Sequence, residues 1–247
     1  MGLAHSPRIV TDNLIQCFDA GNVKSYPGSG STWTDLGPRG IDATITNSPT
    51  FSSNNNGLFV FDGSDENIGS NLDVSWNNTN SVTISFFVKP EAISGTDGNG
   101  GIIGKNPWEW QFMQSGGTLK FNYWDNTGNH SNGPTISFSN FFTDLSFVNI
   151  AMVWNHLENS GNGAFTFYRN GTLFATDAAH GNPVNWTNAS VNVNRSDDYH
   201  IGGNIYSWAG IPSYFHGSIG NVMVYDKALT ATEVKQNFEA HKGRFGL

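Results

Sequence analysis

The chain has 247 residues, with 20 acidic against 12 basic side chains, a net charge of −8, and only 13% charged residues beside 37% hydrophobic ones. Lys and Arg form no run that could make a basic stripe, which excludes nucleic acid as a partner, and no apolar stretch nears the ~18 residues that membrane insertion requires. The single Cys leaves no internal disulfide and no Cys-ligated zinc, and 29 Gly with Asn about as abundant make poor helix material.

Residues Met1 to Val10 lack the apolar region of a secretory signal. Cys17 lies in the alternating run Leu14-Ile15-Gln16-Cys17-Phe18, the setting of a buried structural thiol rather than a nucleophile. From Tyr26 to Pro212 turn signals recur every eight to fifteen residues between short alternating runs, the pattern of a many-stranded sandwich or barrel. In Ser81 to Pro90 the residues Val82, Ile84, Phe86 and Val88 share one face, and Pro90 closes the strand. Trp108 to Gln114 and Thr118 to Trp124 flank Gly116-Gly117 as one hairpin. Phe165 to Arg169 and Thr172 to Phe174 flank Asn170-Gly171 as another, with a pair suited to a type I′ turn. The glycines and proline of Ile201 to Tyr214 predict a loop with no long regular strand. Helix is predicted mainly after Leu229: Thr230 as N-cap with Glu233 at N3 forms a capping box, Leu229 staples onto Val234, Val234 stacks with Phe238, and Gly243 serves as C′. No low-complexity linker divides the chain, so residues 1–247 read as one domain.

Five stretches together resemble a known family. They are Leu14 to Asn22, Ser25 to Leu36, Phe59 to Asp65, Thr83 to Pro90, and Gly217 to Thr230 with its core Val222-Met223-Val224-Tyr225. In this order they are similar to the laminin-G-like, concanavalin A-like jelly-roll domains, in the version common in tailed-phage and marine viral structural proteins. The resemblance implies an all-β sandwich of two antiparallel sheets, with adjacent terminal strands and a short helix after the last strand. It implies no single function, because this fold carries lectins, glycan hydrolases, lyases, adhesion modules and structural parts.

Glycoside hydrolysis needs two converging carboxylates, which concanavalin-like glucanases present as Glu-x-Asp-x-(x)-Glu. That spacing is absent, and Glu66, Glu91, Glu109, Glu158, Glu233 and Glu239 are scattered, so no same-face carboxylate pair is expected. Tyr199 and His200 are neighbours whose side chains diverge on a strand. Many relatives hold a structural ion, calcium, between the first strand and the penultimate one, which the resemblance would assign to Asp19, Asp62 and Asp65. Gly220 stands where a ligand side chain is expected, so no metal or other cofactor is predicted. The 7 His are separated, without metal-binding spacing.

Sugar rings pack their C–H faces on aromatics, and their hydroxyls need short polar partners. Tyr206, Ser207, Trp208 and Tyr214 with Asn204, and Trp124 with Asn126, have that mixture and are the candidate ligand-binding residues. Trp108, Trp110 and Phe112 alternate as a core-facing row would. The expected function is therefore a non-enzymatic virion-associated protein, a tail fibre or adhesin or a capsid decoration, assembled in the host cytoplasm. Its expected partners are other virion proteins, host cell-surface glycans and further copies of itself. The alternative is a carbohydrate-active enzyme or its carbohydrate-binding module.

Overall fold

The computed structural model describes residues 7–72, 80–91, 100–105, 110–115, 117–124, 130–158, 163–176, 199–203, 205–206 and 212–247, with the side chains of 115, 122–124, 130–136, 138–139, 205–206 and 212 left aside. The strands are β1 (Leu14–Asp19), β2 (Thr32–Trp33), β3 (Ala43–Thr46), β4 (Thr50–Ser52), β5 (Leu58–Asp62) and β6 (Asn67–Ser70). There follow β7 (Val82–Pro90), β8 (Gly100–Lys105), β9 (Trp110–Ser115), β10 (Thr118–Trp124), β11 (His130–Ser137) and β12 (Val148–Asn155). The last are β13 (Ala164–Arg169), β14 (Thr172–Thr176), β15 (Tyr199–Ile201), β16 (Ile205–Tyr206), β17 (Pro212–Ser213) and β18 (His216–Tyr225). One eight-stranded sheet runs β14-β13-β12-β7-β18-β5-β4, with β1 also on β18, and the other runs β11-β10-β9-β8-β15-β6-β3-β2.

The two sheets form the expected antiparallel sandwich. Val82, Ile84, Phe86 and Val88 all enter the core between them, with Ile150, Met152 and Trp154 from β12 alongside. Ring contacts join the sheets: Phe86 meets Phe112 at 6.0 Å, and Phe121 meets Phe165 at 4.6 Å. Trp110 and Phe112 belong to this core, as their alternation predicted. Gln16 adds a polar seam, donating from Nε2 to the Ile41 carbonyl at 2.8 Å and to Ser70 Oγ at 2.9 Å while accepting from the Tyr199 hydroxyl. Burial holds the Tyr199 phenol far above its ordinary range, so it stays a donor. Cys17 is buried, and burial, with Asp19 and Asp35 nearby, pushes its thiol up to about 12, which suits the structural role.

The terminal strands are adjacent, with Leu14 opposite Tyr225 and Asp19 opposite Asn221. The Asn170-Gly171 turn has φ of 50° and 70°, the two positive values a type I′ turn requires. Among the described residues the main helix is α2 (Ala231–His241), preceded by the single turn α1 (Phe138–Phe141). Both hydrogen bonds of the Thr230–Glu233 capping box are present, and Leu229 and Val234 lie in one buried cluster. The C-terminal end differs from expectation. The chain tightens into a 3-10 turn over Lys242–Phe245, and the left-handed residue is Gly246, at φ 74°, rather than Gly243. The 3-10 turn brings Phe245 over Phe87 at 4.2 Å, and that contact carries the chain past the expected stop. Helix α2 thereby covers the outer face of the β7/β18 sheet. No helix among the described residues is long and apolar enough to cross a membrane.

Candidate ligand-binding corner

The β5–β6 turn, the end of β15 and the start of β18 meet at one corner of the sandwich. Gly63, at φ 83°, makes the turn possible and lies close to His216, with a Cβ added there only 3.1 Å from that of His216. The turn brings Asp62 and Glu66 together. The Asp62 N–H donates to Glu66 Oε2 at 3.1 Å, and Asp62 Oδ1 accepts from the Ser64 N–H at 2.8 Å. Burial and a hydrogen bond to Asp62 raise the Glu66 carboxyl above its ordinary value. Hydrogen bonds from Glu66 and Ser64, with His216 nearby, lower that of Asp62. Of the two carboxyls, Glu66 is therefore the more readily protonated.

The sequence reading, which looked for a same-face pair on a strand, did not single out this contact across a turn. The signal was the Asp62-Gly63-Ser64-Asp65-Glu66 spacing, in which a glycine turn folds residue i+4 back onto i. The pair does not suit glycoside hydrolysis, because the two carboxyls of such enzymes stand about 5–5.5 Å apart in retaining and ~6.5–9.5 Å in inverting mechanisms. Hydrogen-bonded carboxyls leave no room for a sugar carbon between them.

Next to Glu66, Asn67 Oδ1 lies 3.2 Å from His200 Nδ1. Tyr214 is half-buried and its ring rests on Gly203. A Cβ at Gly203 would stand 2.4 Å from Tyr214 Cδ1 and 2.4 Å from the Glu66 carbonyl, so glycine is required there. One corner therefore gathers an aromatic ring, a carboxyl pair, an amide and the imidazoles of His200 and His216. Sequence reading selected Tyr214 as a ligand-binding residue and Asp62 only as a calcium candidate, because Glu66 with Asn67, His200 and His216 come from three distant segments.

Among the other candidates, Tyr206 pairs with Pro212 across the two-residue strands β16 and β17, and Trp124 pairs with His130 at the end of β10. Among the described residues of Ile201 to Tyr214 these two-residue strands agree with the expectation of no long regular strand. Asn204, Ser207, Trp208 and Asn126 lie outside the described residues. The calcium candidates are not brought together. Asp19 is bound by Arg244, Asp62 is paired with Glu66, and Asp65 offers its backbone carbonyl to Asn47 Nδ2 at 3.0 Å. Among the described residues no three His, Cys, Asp or Glu side chains group to hold a metal.

Residues 44–235 match a laminin G-type family model described as the concanavalin A-like lectin/glucanases superfamily. The chain belongs to this superfamily. No curated protein matches it by sequence. Among solved structures, it resembles the receptor-binding domain of botulinum neurotoxin type G at 16% identity and TM-score 0.59, over 92% of this chain and 51% of that one. The binding domain of botulinum neurotoxin DC, solved in complex with SialylT, is similar at 14% identity and TM-score 0.68, over 93% of this chain and 52% of that one. The same domain in complex with rat synaptotagmin II gives 13% identity and TM-score 0.67, over 94% and 52%. This superfamily member thus spans about half the length of those chains, and at such identities the likeness is one of fold.

Proposed function

We propose that this chain is a non-enzymatic binding module that engages a cell-surface glycan at the β5–β6/β15/β18 corner. The observation that carries the reading is the Tyr214 ring seated on Gly203 beside the exposed Asp62 and the His200–Asn67 pair. An aromatic face flanked by hydrogen-bonding groups is what a sugar ring needs. The superfamily is lectin-like, and its structural neighbours are receptor-binding domains, one of them held in complexes with SialylT and with synaptotagmin. The finer reading places the module on a virion as a fibre tip, adhesin or capsid decoration, in several copies and assembled in the host cytoplasm. Low charge, abundant Asn and Gly and one Cys support it.

Glycan-array binding of wild-type protein, Tyr214→Ala and Trp208→Ala, with a reducing-sugar release assay on any hit, tests the module. The expected result is binding without release, weakened by about 2 kcal/mol or more in each variant while the fold persists. Release of sugar abolished by one Asp or Glu substitution would instead establish the carbohydrate-active enzyme. Labelling intact particles tests the setting, since a projecting tip favours host recognition and a regular lattice position favours decoration.

A further inference from the structure

The resemblance places a structural ion beside the first strand, near Asp19 and the position of Gly220, and in this chain that region holds a side chain. Arg244, in the 3-10 turn after α2, lies against the end of β1 and the middle of β18. Its Nη1 donates to Asp19 Oδ1, its Nε to the Asn55 carbonyl at 2.6 Å, and its Nη2 to the Gly57 carbonyl at 2.6 Å, with the Gly220 carbonyl at 3.5 Å. Asn55 returns a bond from Nδ2 to the Arg244 carbonyl at 2.9 Å. Asn55 and Asn56, at φ 48° and 60°, take the left-handed conformation in the turn that supplies these oxygens. A Cβ at Gly21 would stand 2.6 Å from Arg244 Cζ, so glycine leaves the space the guanidinium fills.

One carboxylate and three carbonyls are the oxygen types a hard divalent cation takes. Asn221, opposite Asp19 in register, is also buried, with both amide atoms unpartnered. Yet these oxygens surround a planar fork that already carries a full positive charge, so a divalent ion does not fit beside it. Arginine suits the seat because its donors match several acceptors at once, whereas lysine offers a single point charge.

We propose that Arg244 is a tethered cation: it does the work the resemblance assigns to a metal ion, closing the β1/β18 seam on the β4–β5 turn, and the seat is specific for guanidinium. When the side chain is removed, a free guanidinium ion takes its place.

The test is thermal unfolding of wild type, Arg244→Ala, Arg244→Lys and Arg244→Gln with EDTA, with calcium, and with about 20 mM guanidinium or ammonium chloride, far below the molar range that unfolds proteins. Wild type should melt at the same temperature with EDTA or calcium. Arg244→Ala should melt roughly 10 °C lower, as expected when one partner of a shielded ion pair is removed. Guanidinium should restore a substantial part of that loss and ammonium none, while Lys and Gln variants stay close to Ala. A wild-type melting temperature that falls with EDTA or rises with calcium by more than about 5 °C would return the seat to a metal. An undisturbed Arg244→Ala, or equal rescue by ammonium, would show that no guanidinium-specific seat exists. If Arg244→Ala does not fold, the same rescue is read on Arg244→Gln.

Discussion

Thr83 ties the chain leaving β18 to the centre of the sheet, and replacing it with Val isolates that tie. Its Oγ1 donates to the Lys227 carbonyl at 2.8 Å and accepts from the Leu229 N–H at 3.0 Å, at a position with no solvent exposure. Valine keeps the shape and removes the hydroxyl, so two buried backbone groups lose their partner and no cavity forms. A buried group left unsatisfied costs about 1–3 kcal/mol, so with two such groups Thr83→Val should cost roughly 2–6 kcal/mol. For a domain of this size ~2–4 °C corresponds to about 1 kcal/mol, so the melting temperature should fall by roughly 4–24 °C. Urea unfolding should show a lower midpoint with unchanged slope. Because Leu229 immediately precedes the N-cap, hydrogen exchange in α2 should accelerate more than exchange in β12 or β13. A Thr83→Val protein within about 0.5 kcal/mol of wild type would refute the reasoning, showing that water or a small shift satisfies both groups.

Gly202 has φ 80° and its added Cβ would enter the Phe61 ring at 2.1 Å, so Gly202→Ala should lose several kcal/mol or fail to fold, read by chemical denaturation. Glu66 prefers its protonated form in the fold, so its contribution is fully present below pH 4.5 and is lost as pH rises through the higher folded value. Glu66→Gln should therefore melt no lower than wild type at pH 7 and show a flatter pH dependence above 4.5, measured as melting temperature against pH. His241 behaves oppositely: burial against Phe87 lowers its pKa below 6.5, and its Nδ1 lies 3.1 Å from the Asn237 carbonyl. Its contribution is complete above pH 6.5 and is lost as pH falls towards the folded value, so His241→Gln should reduce the acid sensitivity of melting below pH 6.5.

Elements whose signal is local were legible in the sequence. The Asn170-Gly171 turn, the Thr230–Glu233 box and the Val82-to-Val88 face each rest on a few consecutive residues whose chemistry permits little else. The end of the helix was not, because Gly243 satisfies the local rule but Phe245 gains more by stacking on Phe87, 158 positions earlier in the chain. The same holds at the corner. Tyr214 stood out as an aromatic in a loop, whereas Glu66, Asn67 and His200 acquire meaning only once β6 pairs with β15. Arg244 gave no signal, since a basic residue near a helix end ordinarily serves the helix dipole, and its oxygens come from three separate segments.

The latch at Arg244 also decides how the domain bears load. Leu14 and Tyr225 face each other on one rung of the β1–β18 ladder, so tension between those two points would open the strands like a zip. Because the chain returns through α2 to grip Asp19, tension on its C-terminal end is delivered to the far end of β1 instead, about 17 Å along the strand at ~3.4 Å per residue. The load then runs along β1 itself between Leu14 and Asp19 and does not part the rungs of that ladder one by one. Pulled at its two ends, the domain is thereby kept from parting at its terminal seam.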